Sequence, residues 1–170
     1  MKRIFAFLCC VVILPFAYAQ EQNEGRPSPT QIMETQVGTA NIKIQYGAPY
    51  VKNREIWGKL VPFGKIWRTG ANEATTFEIN ADVKIEGQVL PKGKYGFFTI
   101  PGTDEWVLIF NKNAGQWGAY GYKQEEDVLR VSVRPGLSDH FQEQLAFVSH
   151  IDGSISIVWE KLEIIFLVSQ

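Results

Sequence analysis

The residues best equipped for chemistry fall in one run, Arg54 to Ile79, REIWGKLVPFGKIWRTGANEATTFEI. Inside it, Trp67-Arg68-Thr69-Gly70-Ala71-Asn72-Glu73 brings together a guanidinium fork, a hydroxyl, an amide and a carboxylate. Gly70 and Asn72 are the residue types that enter the left-handed region most cheaply, so the backbone is expected to turn sharply there. Such a turn can aim Arg68, Thr69, Asn72 and Glu73 at one point. With the rings of Trp57 and Trp67 nearby, the set suits a polar ligand with an apolar face, such as a sugar. The competing expectation is architectural: Arg68 pairs with Glu73 to lock the loop, and both tryptophans fill the core.

A second run, Asn111 to Tyr122, NKNAGQWGAYGY, interleaves Trp117, Tyr120 and Tyr122 with glycines. Exposed rings on loops serve recognition of carbohydrate or protein; folded back, the same rings cap a core. Asp127 and Arg130 lie three apart, on opposite faces if both are in a strand, so an ion pair between them requires Asp127 to lie in the preceding loop. Arg130 on a polar strand face could otherwise serve a ligand. Glu160 could join Glu73 or Glu78 in a glycosidase-like carboxylate pair, which needs a separation of roughly 5–10 Å; sequence spacing cannot establish it. His140 and His150 are the only histidines and neither sits in a ligand-spaced motif, so neither a metal nor any other cofactor is expected. There is no G-x-S-x-G elbow, P-loop or dinucleotide fingerprint.

The elements that must position these groups are strands. Ile42, Ile44 and Tyr46 alternate with Lys43 and Gln45, and Thr75, Phe77 and Ile79 with Thr76 and Glu78. Val83 and Ile85 precede a tight connection at Gly87-Gln88, then Val89-Leu90, and Pro91-Lys92-Gly93 turns into Tyr95 to Ile100. The apolar run in Trp106 to Asn111 suggests a strand buried on both faces. After a long loop over 112–126, Val128 to Val133 alternates again. Leu145, Phe147 and Ser149 lead through Asp152-Gly153, a dipeptide suited to a type I′ turn, into Ile155, Ile157 and Trp159. Leu162, Ile164 and Phe166 finish the chain. A helical period is confined to Asp139–Gln144. Short strands punctuated by Gly and Pro predict an all-β fold, a single antiparallel sandwich or barrel-like domain.

The chain has 170 residues. Lys2 and Arg3, the apolar stretch Ile4 to Pro15 and the small residues Ala17-Tyr18-Ala19 read as a signal peptide over 1–19, cleaved before Gln20. The apolar stretch falls short of the roughly 20 residues a membrane span requires. The mature protein is thus expected to be exported, periplasmic or extracellular, and not membrane-spanning. Residues 20–30, with Pro27 and Pro29, read as a flexible leader, and 31–170 as the all-β domain. Both cysteines, Cys9 and Cys10, lie in the removed segment, so stability must come from a hydrophobic core. A domain of this size buries roughly 70% of its unfolded surface, enough for one core. With 17 basic against 18 acidic residues, the chain lacks the basic field that nucleic acid requires.

In one order, YGAPYVKNREIWGKLVPFGKIWRTGANEAT, VKIEGQVLPKGKYGFFTIPG, EWVLIFN, DVLRV and a late VWE carry a likeness over about Pro29 to Val168. The chain resembles the domain-of-unknown-function family numbered 2911, secreted or periplasmic bacterial proteins. The resemblance implies an all-β domain behind a signal peptide and no assigned activity or catalytic residue. It also implies a glycine before the arginine of the first motif; this chain has Asn53 there, which keeps access to the left-handed region.

Three functions follow. A non-catalytic binding domain for a glycan or other polar envelope ligand would use Trp57, Trp67, Arg68, Thr69, Asn72 and Glu73, with Trp117 and Tyr120. An envelope interaction module would present the aromatic loop to a partner chain. A carboxylate-based hydrolase would use Glu73 or Glu160. They rank in that order.

Overall fold

The computed structural model describes residues 25–170, so the expected signal peptide and the leader up to Glu24 lie outside the described residues. Among the described residues, ten strands form two antiparallel sheets. The first contains β1 (Thr30–Val37), β2 (Ala40–Gly47), β3 (Thr75–Ile79), β6 (Gly93–Ile100), β7 (Trp106–Asn111) and β8 (Asp127–Val133), in the order β1-β2-β3-β6-β7-β8. The second contains β4 (Val83–Ile85), β5 (Gln88–Leu90), β9 (Pro135–Ser149) and β10 (Ser154–Ser169), in the order β5-β4-β10-β9. The sheets face one another as a sandwich and do not close into a barrel.

Alternation places the core. Ile42, Ile44 and Tyr46 of β2 and Phe77 of β3 point inward, where Phe97 of β6 meets Phe147 and Phe166 of the second sheet at centroid distances of 6.0 and 6.1 Å. β7 is buried on both faces, as its apolar run implies. Leu108 and Phe110 enter the main core, while Ile109 joins Phe98 and Ala74 in a smaller cluster on the far side.

Four local expectations change. Residues 139–144 are not helical but lie within β9, because Gln142 pairs with Glu160 and Leu137 with Leu162 of β10. The intervening residues of β9 outnumber their partners, so the strand bulges and its polar sequence faces solvent. β10 runs without a break where two strands were expected, and absorbs Glu160 at φ 59°. The β9–β10 connection is longer than a type I′ turn: only Gly153 is left-handed, and Asp152 accepts bonds from the Ser154 N–H and hydroxyl at 2.9 and 2.7 Å. The two-residue turn with both φ positive is instead Glu86-Gly87, between β4 and β5. Finally, β1 is an edge strand where no strand was read; Met33 and Val37 pack on the core but Ile32 is exposed, so its alternation is faint.

Candidate functional site

Between β2 and β3 the chain makes no strand for residues 48–74, yet nearly every part is fixed. The Leu145 N–H donates to Pro49 O and the Val51 N–H to Glu143 O, laying residues 49–51 along the edge of β9. Trp67 exchanges both backbone bonds with Thr99 of β6 at 2.8 and 2.9 Å. The Ala71 N–H donates to Gly47 O, and the backbones come so close that a Cβ on Gly47 would sit 2.1 Å from Ala71 O. Glycine is required there for space, not for φ.

This cover brings four tryptophans together. Five ring pairs among Trp57, Trp67, Trp106 and Trp159 have centroids 5.3–6.2 Å apart, mostly edge to face, with Trp67 and Trp159 near parallel. Trp67, Trp106 and Trp159 are buried and Trp57 is half-buried. The indole N–H of Trp67 donates to Gly70 O and that of Trp106 to Gly102 O. Those of Trp57 and Trp159 are shut away from water and have no acceptor among the described residues. Buried indole donors ordinarily find partners, so these two are unusual.

One wall of the cluster opens into a cleft of about 170 Å³, lined by Trp67 and Trp159, the arginines Arg54 and Arg68, and Ser28. Arg54 donates to the carbonyls of Val51 and Tyr50. Arg68 is half-buried, its Nε has no acceptor among the described residues, and no ion pair is formed there by either arginine. Burial pulls the Arg68 pKa below the ordinary arginine value, offset in part by the Tyr120 phenol.

The polar set read from the sequence does not converge. Thr69 is fully buried at φ 53°, its hydroxyl 3.1 Å from that of Thr99. The Asn72 amide donates to Ser28 O at 3.0 Å, and Glu73 takes Arg26 at 3.0 and 3.1 Å. Arg68 and Glu73 therefore do not pair, and of the four only Arg68 lines the cleft. Trp57 lies on the other side of the cluster, lining a shallow apolar groove with Phe63 and Leu137. Trp117 and Tyr120 are exposed, on a loop tied to the site by Gly118 N–H to Asn72 O and Ala74 N–H to Gln116 O. Glu78 pairs with Lys94, and the carboxylates expected for hydrolysis are not gathered in the cleft.

Arg130 has the opposite fate. A bulge at Val128 sets Asp127 opposite Asn111 and Leu129 opposite Phe110, which puts Asp127 and Arg130 on one side although both belong to β8. Their ion pair is 2.7 Å, so it does not require Asp127 to lie in the loop. The Tyr122 hydroxyl donates to Asp127 and accepts from Arg130, each at 2.6 Å, and the Asn111 amide completes the carboxylate's partners.

Among the described residues, five of the six non-glycine residues with left-handed φ, Lys52, Asn53, Thr69, Asn72 and Glu160, lie in or next to the segments that form the cleft; the sixth, Glu86, is in a hairpin turn. Asn53, at φ 55°, does enter the left-handed region. Thr69 is the costly case, because a β-branched residue is strongly disfavoured there. Sequence reading missed Arg54, Ser28 and Trp159. Ser28 and Arg26 fell in the expected leader, and only β10's register reveals that Trp159 points at Trp67. A larger concavity, about 610 Å³ over β1–β3, is solvent-facing and its Glu34 and Lys43 are already paired.

A family model described as "Protein of unknown function (DUF2911)" matches residues 28–168. No curated protein and no solved structure matches the chain.

Proposed function

We propose, for a chain that belongs to the DUF2911 family, a non-catalytic binding domain whose site is the cleft of Arg68, Arg54, Trp67 and Trp159. The ligand class that suits it is the end group of a glycan or a similar polar envelope molecule with one flat face. The observation that carries this reading is Arg68: a half-buried guanidinium with no partner for its Nε, lining one cleft with two near-parallel indoles. A fold gains nothing from desolvating an unpaired charge, so its return is expected from outside the fold. Strain at Thr69 and Asn72 supports the same reading, because such conformers collect at ligand clamps. Export is part of the proposal and rests on the signal-peptide pattern of residues 1–19.

The test is a tryptophan-fluorescence and melting titration of the mature protein with soluble oligosaccharides and cell-wall fragments. A ligand at ~100 times its Kd should stabilise the fold by about 2.7 kcal/mol, and Arg68→Ala should abolish the response. A response that survives Arg68→Ala would place the site elsewhere. A second reading, an interface for another protein chain, draws on the exposure of Tyr120 at 91% and Trp117 at 59%. Light scattering showing a lone monomer, with no protein co-purifying, would remove it.

A further inference from the structure

We infer that the cleft takes an oxyanion, a carboxylate or a phosphate, carried on a ring-sized end group that lies against Trp67 and Trp159. This deepens the binding reading above and rests on it. The first argument is the charge of the wall: among the described residues, two guanidiniums and no carboxylate line the cleft. Two acidic side chains nearby are already occupied. Glu73 holds Arg26, and Glu143 accepts the Lys52 N–H at 2.9 Å. The chain as a whole is slightly negative, with formal net charge −1, so the paired cations are a local feature and not overflow from a basic surface.

Chemistry separates this wall from a neutral-sugar site. Neutral hydroxyls both donate and accept, and a site for them presents amides, carboxylates and hydroxyls of both kinds. Arg54 and Arg68 only donate, in planar forks that match carboxylate and phosphate oxygens. Arg54 already uses its Nε and one terminal nitrogen on Val51 O and Tyr50 O, which fixes its plane. Like charges that share a small cleft destabilise each other, and a bound anion relieves both at once.

Size limits the rest of the ligand. At about 170 Å³ the cleft is well below the roughly 300–1,000 Å³ of sites that enclose a drug-sized molecule. It holds one end group while the remainder stays in solvent. The wall from Ser28 belongs to the segment pinned by Arg26–Glu73 and Asn72–Ser28, so the cleft is complete only with those residues in place.

The experiment is calorimetric titration of the mature protein with glucuronate, glucose 6-phosphate and glucose at one fixed ionic strength. Both acidic sugars are expected to bind, glucose at least about tenfold more weakly, as for one charged hydrogen bond lost. Whichever acid binds more tightly identifies carboxylate or phosphate as the source. Arg68→Gln should remove the preference and Arg68→Lys restore part of it, with Arg54→Gln as an independent variant and melting curves confirming each fold. Glucose binding as tightly as glucuronate, and lost in Arg68→Gln, would overturn the oxyanion and leave the binding domain standing. No saturable binding by any of the three would overturn the oxyanion, and silence across the oligosaccharide panel as well would take the binding domain with it.

Discussion

Arg68 and Arg130 are both partly buried arginines beside an aromatic loop, and the fold treats them oppositely. Arg130 is enclosed by Asp127 and Tyr122, and these partners raise its pKa despite the burial that opposes them. Arg68 has burial without a counter-charge, and its pKa falls. Residue type and exposure do not distinguish them; the accounting of partners does. A guanidinium held by a carboxylate inside the protein is architecture, and one without a counter-charge points outward.

The largest effect should come from breaking the satisfied site. Asp127→Ala strands Arg130, Tyr122 and Asn111 together, and the Asp127 side chain is only 7% exposed. Urea unfolding should show a loss of about 2–3 kcal/mol. A loss below about 1 kcal/mol would erase the contrast, since Arg130 would then need its partners no more than Arg68 does.

Tyr122→Phe is a gentler cut in the same network, costing about 1 kcal/mol at neutral pH. It also carries a pH signature. Burial and the bond to Asp127 raise the Tyr122 pKa above its ordinary value near 10. The stability gained from keeping that phenol protonated is complete below the unfolded value and is lost as pH rises through the folded one. Burial raises Tyr46 and Tyr95 likewise, so the protein should destabilise in alkali and Tyr122→Phe should destabilise less steeply above about pH 10. Melting temperatures from neutral pH into that range decide it; parallel curves for the two proteins would detach Tyr122 from the network's energetics.

What was legible in the sequence follows period two. Strands such as Ile42–Tyr46 and Thr75–Ile79 bury every second residue, and no distant contact is needed to see that. Thr30–Val37 escaped because an edge strand with one exposed face needs few apolar residues. Residues 139–144 misled because their pattern is short and pairing with β10 decides their conformation. The run around Arg68 stands out in the sequence as a candidate site, but its internal geometry does not. Which way Thr69, Asn72 and Glu73 point depends on Thr99, Ser28 and Arg26, each distant in sequence. Arg54 and Trp159 enter the cleft by register and loop path alone.

Next in size is the exposed pair that holds the N-terminal segment. Arg26 and Glu73 are 36% and 51% exposed, so Arg26→Ala should cost no more than about 1 kcal/mol, less at high salt. Its interest lies in the ligand: Ser28 forms part of the cleft wall, so binding should weaken more than stability does. Equal binding by Arg26→Ala and the parent protein would show that the segment is not needed for the site.

The smallest expected change in stability belongs to Arg68→Met, and it tests the comparison most sharply. Methionine keeps much of the packing volume along Trp67 and Trp159 and removes a charge that the fold desolvates without compensation. Replacing an unpaired, half-buried charge by an apolar side chain should leave stability within about 0.5 kcal/mol of the parent or raise it slightly. The ligand response should vanish in the same variant. Stability and binding would then move independently at Arg68, which structural arginines such as Arg130 do not permit. If Arg68→Met instead lost about 2 kcal/mol or more, the guanidinium would be holding the loop through contacts to the carbonyls around it. Arg68 would then belong with Arg130, and the cleft would need another explanation.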